Sequence, residues 1–123
     1  MTTNLLRGLA LALLALIAGC SKIPTTYPVT GKVVYPKGKP VTYGRVEFHS
    51  KTHPELRATG GIKTDGTFSL TTNLGGESAP GAVAGEHKVL IELESRSAFV
   101  ILPAPYTVRP EKNEVTFEMP RRR

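Results

Sequence analysis

A single cysteine, a single aspartate and no tryptophan stand in the 123 residues of this chain. One cysteine leaves no partner for an intrachain disulfide, so the fold must rest on apolar packing and backbone hydrogen bonds. The absence of tryptophan removes the strongest aromatic platform for stacking sugars. Gly-x-Ser-x-Gly, the strained elbow that presents a nucleophilic serine, is also absent. Long apolar runs are scarce: Leu9 to Ile17 contains only Leu, Ala and Ile. It would span about 14 Å as a helix against a hydrocarbon core of about 30 Å, which excludes a permanent transmembrane helix there. No helical periodicity is long enough to be read, while 12 Gly and 10 Pro punctuate the chain.

What is present at the N-terminus has three parts. Met1 to Gly8 carries Arg7 and no acid, Leu9 to Ile17 is apolar, and Ala18-Gly19 is small. The only cysteine follows. Leu16-Ile17-Ala18-Gly19-Cys20 resembles a bacterial lipobox, in which two small residues precede a cysteine that receives lipid. The competing reading, a plain secretory signal with a chance cysteine, requires that one cysteine to fall on the one position a lipobox demands. The resemblance implies a signal peptide over residues 1–19, cleavage between Gly19 and Cys20, and a lipidated Cys20 as the new first residue. One acyl chain holds marginally, and two or three make attachment effectively permanent. The expected location is the extracytoplasmic side of a membrane in the cell envelope. Residues 20–28, with Pro24, Pro28 and several hydroxyls, read as the tether.

The formal net charge is +6, and the chain closes on Arg121-Arg122-Arg123. In an exported, tethered protein, nucleic acid is not an expected partner. Anionic lipid head groups or surface polysaccharide are the candidates for this basic tail (residues 120–123), against a solvated tail with no partner.

Residues 29–119 read as one domain built of strands. Val29 to Tyr35 alternates, with Val29, Val33 and Tyr35 on one face. Pro36 to Pro40 is a turn, Arg45 to His49 turns Val46 and Phe48 inward, and Thr59 to Lys63 is a weak strand. Asp65-Gly66 is the sharpest hairpin signal, followed by Thr67 to Thr72 with Phe68 and Leu70 inward. Asn73 to Ala84 reads as a long loop of small residues. In Glu86 to Glu94, His87, Val89, Ile91 and Leu93 share a face. Ser97 to Leu102 is an apolar run, and Glu114 to Met119 alternates strictly. Six or seven short strands predict an all-β sandwich.

The order of these motifs is similar to that of the carboxypeptidase regulatory-like, transthyretin-like domains of small bacterial lipoproteins. Val-x-Gly-x-Val comes first, then Gly38-Lys39-Pro40, a Val-x-Phe strand, Thr64 to Leu70 and Gly85 to Ile91. The resemblance covers Val29 to Met119. It implies a single seven-stranded transthyretin-like or immunoglobulin-like β-sandwich and a non-enzymatic structural or protein-interaction module. The family usually has tyrosine where this chain has His87.

Candidate chemistry is thin. His49 and His53 are four apart, but across a strand end and a proline-containing loop, so the helical ligand geometry is not expected. His87 alternates with core residues and reads as a hydrogen-bonded core histidine. Asp65 is explained by its turn. No catalytic residue, metal ligand or cofactor is expected, and the domain is expected to be a monomer whose ligand residues are unknown. The competing readings are an envelope-polysaccharide binding module, with Tyr27, Tyr35, Tyr43 and Tyr106 as its aromatics, and a small hydrolase. Hydroxyisourate hydrolases share the transthyretin-like fold, but they end in a Tyr-Arg-Gly-Ser-like tail that this chain lacks.

Overall fold

The computed structural model describes residues 24–93 and 99–121. They form β-strands and turns with no helix. The strands are β1 (Thr26–Tyr27), β2 (Val29–Val34), β3 (Arg45–Ser50), β4 (Arg57–Gly61), β5 (Thr67–Ser69) and β6 (Thr71–Asn73). They continue as β7 (Ser78–Pro80), β8 (Ala82–Val83), β9 (Gly85–Glu92), β10 (Phe99–Ile101), β11 (Tyr106–Val108) and β12 (Asn113–Glu118). The expected signal peptide, Gly19 and Cys20 lie outside the described residues.

The larger sheet runs β10-β9-β3-β4-β6-β7, with β11 on the same side of β9 as β10. The smaller sheet runs β12-β2-β5, and β1 pairs β8 apart from both. The centre of the larger sheet is the antiparallel pair β3–β9, in register Val46↔Ile91, Phe48↔Val89 and Ser50↔His87. Because strand side chains alternate, this register puts Val46, Phe48, Val89 and Ile91 on one face, all fully buried. Val29 and Val33 of β2, Phe68 of β5 and Phe117 of β12 face them from the smaller sheet. Phe117 stacks on Phe68 at 6.0 Å and meets Phe48 edge-on at 5.9 Å, so the two sheets close on each other through three rings. The architecture is all-β and sandwich-like, as the alternation predicted.

The strand count is a correction: among the described residues twelve short strands replace the six or seven expected. The chain changes sheets where an unbroken strand was read. Thr67 to Thr72 begins as β5 against β2 and ends as β6 against β4. Leu70 is the pivot, its amide donating to Val29 O (3.0 Å) and its carbonyl accepting from Gly81 N (2.7 Å).

The Asp65-Gly66 hairpin is also corrected. Gly66 N donates to Lys63 O and Lys63 N to Thr67 O, so the turn is centred one residue earlier, on Thr64-Asp65. The strands it joins belong to different sheets, so the turn is a corner. Asp65 Oδ1 accepts from Thr67 N (3.0 Å) and Thr67 Oγ1 (2.6 Å), which holds its carboxyl below the usual pKa.

The loop read over Asn73 to Ala84 is a third correction. β6 and β7 form a hairpin in register Asn73↔Ser78 around Gly75-Gly76. Both glycines have positive φ, +74° and +113°, which a tight two-residue hairpin turn requires. Tether and body also meet earlier than expected, because Thr26 and Tyr27 pair with Val83 and Ala82.

The core generates a direct expectation. Phe68→Ala and Phe117→Ala should each lower the unfolding free energy by about 3–5 kcal/mol in urea titrations, whereas the exposed Phe99→Ala should change it by less than about 0.5 kcal/mol. Near-neutral effects at both core positions would contradict the packing.

Candidate functional site

The chain enters the fold through β1, and that end is tied down by Asn113. This nearly buried side chain accepts from Arg109 N (3.0 Å) and Tyr106 Oη (3.3 Å). Its amide donates to Glu111 O (2.8 Å), Arg109 O (3.1 Å) and Pro28 O (3.3 Å). Five polar groups on three segments converge on one asparagine, which locks the loop before β12 against the residue after β1. A single asparagine in a polar stretch carries no pattern, and sequence reasoning missed it.

The three histidines do not converge. His87 is 1% exposed, its ring 5.4 Å from Phe48. Its Nε2 lies 2.7 Å from Val83 O, a pure acceptor, so Nε2 carries the proton; Nδ1 is buried with no partner. Burial pushes the His87 pKa below its ordinary value, and the bond to Val83 opposes that only in part. His49 pairs with Lys88 and Arg57 across the sheet and points to the opposite face. Burial and then the Arg57 charge lower its pKa. His53 lies in the loop after β3, with Nδ1 3.6 Å from Glu55. Among the described residues no three His, Cys, Asp or Glu side chains are placed to hold one metal ion.

On the outer face of the larger sheet, Glu47 is only 7% exposed. Arg45 sits between two carboxylates, 2.9 Å from Glu92 and 3.6 Å from Glu47. The β3–β9 register explains this, since Arg45 stands directly opposite Glu92. The guanidinium bridges the two carboxylates and ties β3 to β9.

The surfaces that remain are open. A shallow concavity of about 420 Å³ lies on the smaller sheet among Thr30, Lys32, Thr67, Ser69, Glu114 and Thr116. On the larger sheet, β10 forms the edge and exposes Phe99 (48%) and Ile101 (52%). Pro103 and Pro105 follow at once, so this edge offers three residues before it is interrupted. Of the four tyrosines considered for a sugar platform, Tyr106 packs its ring on Phe48 and Phe117, and Tyr27 and Tyr35 are half-buried against the core. Tyr43 is 46% exposed. Arg121 is exposed beyond β12, and Arg122 and Arg123 lie outside the described residues.

No family model, curated protein or solved structure matches the chain.

His87 makes stability depend on pH. Its native pKa lies below 6.5, so as pH falls through about 6.5 the unfolded chain takes up a proton that the folded one refuses. Stability should therefore fall from pH 7.5 towards pH 5, with His49 acting in the same direction. His87→Tyr and His87→Gln should both flatten that limb in chemical unfolding. An unchanged slope in both variants would show that His87 does not titrate on unfolding.

Proposed function

We propose that this chain is a non-enzymatic lipoprotein of the bacterial cell envelope, a β-sandwich interaction module held to a membrane through lipidated Cys20. The observation that carries the reading is the place of the only cysteine. It ends Leu16-Ile17-Ala18-Gly19-Cys20 and stands six residues before Thr26, the first residue of β1. Six extended residues reach at most about 20 Å, so the body would ride close to the bilayer with its β1 end nearest. The transthyretin-like assignment belongs to the same proposal. It is supported by the motif order from Val29 to Ile91 and by two facing sheets closed by inward aromatics.

A second reading, a module for envelope polysaccharide, is favoured by one observation. Tyr43, the exposed tyrosine, stands in the segment between β2 and β3 that also carries Lys37 and Lys39, both exposed.

Cys20→Ala should release the protein from membranes while leaving its unfolding transition unchanged, because the cysteine precedes every strand among the described residues. Cell fractionation with metabolic lipid labelling decides. Quantitative membrane partition of the alanine variant, or a native protein that takes up no label, would make the anchor reading wrong.

A further inference from the structure

The buried ring of His87 sits under the most lightly held pair of strands in the body. Its Nε2 meets Val83 O of β8 at 2.7 Å, and its Nδ1 is buried with no partner. β3 covers the ring with Ser50 opposite and Phe48 at 5.4 Å, and β11 with Tyr106 opposite. β3 pairs with β9 along its whole length, and β11 along all of its own. β8 is two residues long, and among the described strands it pairs with β1 alone, through Thr26↔Val83 and Tyr27↔Ala82.

β8 lies between Gly81 and Gly85, with φ of +91° and +115°. Gly81 is fixed: its amide donates to Leu70 O and its carbonyl accepts from Thr72 Oγ1, both at 2.7 Å. A Cβ on Gly81 would run into Tyr27 O, so β1 rests where only glycine leaves room. Directly after β1, Pro28 O is held by the Asn113 amide (2.8 Å) and side chain (3.3 Å). The segment ahead of the sandwich thus has a fixed point at Pro28 and only a two-residue pairing before it.

Nothing facing His87 would balance a cation there. β8 brings alanine and valine, β1 brings Tyr27, and the hydroxyl of Tyr106 on β11 is donated to Asn113. On β3, Arg45, Glu47 and His49 alternate to the outer face, and His49 disfavours a second charge. On β9, Glu86 and Lys88 face outward as well, where Glu86 meets Lys51. A proton on Nδ1 must therefore reach water, because an unpaired buried charge is far costlier than a neutral ring. Displacing β3 would uncover Val46 and Phe48, and displacing β11 would uncover Val108 and unseat Tyr106 from Phe117. Displacing β8 uncovers only Ala82 and Val83.

We infer that β1 is a releasable strap: protonation of His87 lifts β8, frees β1 and lengthens the tether, an inference that rests on the anchor reading above. With β1 paired, the six residue steps from Cys20 to Thr26 reach at most about 20 Å; freed as far as Pro28, eight steps reach about 28 Å. Asn113 sets that limit.

Hydrogen exchange on the full lipidated chain in phosphatidylcholine vesicles tests this. Corrected for intrinsic exchange rates, protection of the β1 and β8 amides should fall about tenfold between about pH 7.5 and 5.5, because the open form takes up one proton that the closed form refuses. That exchange should be insensitive to low urea, as local opening exposes little surface, whereas core amides of β3 and β9 should respond to urea. His87→Gln should abolish the pH dependence and His49→Gln should keep it. With a dye on Arg121→Cys and an acceptor on the lipid, energy transfer should drop on acidification in the native background and not in His87→Gln. Protection independent of pH, a pH dependence that survives His87→Gln, loss that tracks urea as in the core, or constant energy transfer would overturn the inference. Repeating the exchange on Cys20→Ala protein separates the two readings, because a failed anchor leaves strap release intact and a failed strap leaves attachment intact.

Discussion

Phe117 is where the two sheets meet, and the rest of the body depends on that contact. It lies on the last strand, stacks on Phe68 within its own sheet and reaches Phe48 and Tyr106 of the other. With a single cysteine in the chain, no disulfide is present to hold the sheets in its place. Each buried phenylalanine contributes about 1.5–3 kcal/mol from burial alone, a large share of the roughly 5–15 kcal/mol by which domains are stable.

Closure around Phe117 has a topological consequence. β12 reaches its position only by lying parallel to β2, which joins the beginning and end of the folded body in one small sheet. Asn113 fixes the start of that pairing by bonding Pro28 O. The parallel register gives the body a polarity: residues before β2 leave at one end, and residues after β12 leave at the other. Arg121 therefore stands at the end of the body away from Pro28.

The buried polar groups follow from the same packing. His87 occupies a core position opposite Ser50 and satisfies one ring nitrogen through Val83, leaving the other without a partner. An orphaned imidazole nitrogen is tolerated because the neutral ring costs far less to bury than a charged one. Glu47, on the outer face, lies 3.6 Å from the Arg45 guanidinium. Both arrangements follow from where the strand register puts a polar side chain.

Alternation along the chain determined which side chains are inside. Val29 and Val33, Val46 and Phe48, Phe68 and Leu70, and His87, Val89 and Ile91 are buried as their two-residue period demands. That period is local, set by the pleat of each strand, so it was legible without a structure. The Gly75-Gly76 hairpin was legible in principle, since paired glycines are a turn signal, but the surrounding small residues concealed its short strands. Which strands pair, where Leu70 turns the chain from one sheet to the other and how Asn113 clamps Pro28 were decided by tertiary structure alone. Each depends on groups far apart in sequence meeting in space, and the two-residue period constrains the face of a residue without constraining its neighbour. The sole cysteine and the residues before it carry the proposed anchor signal in sequence order, whereas the contact of Phe117 with Phe48 exists only once the sheets have closed.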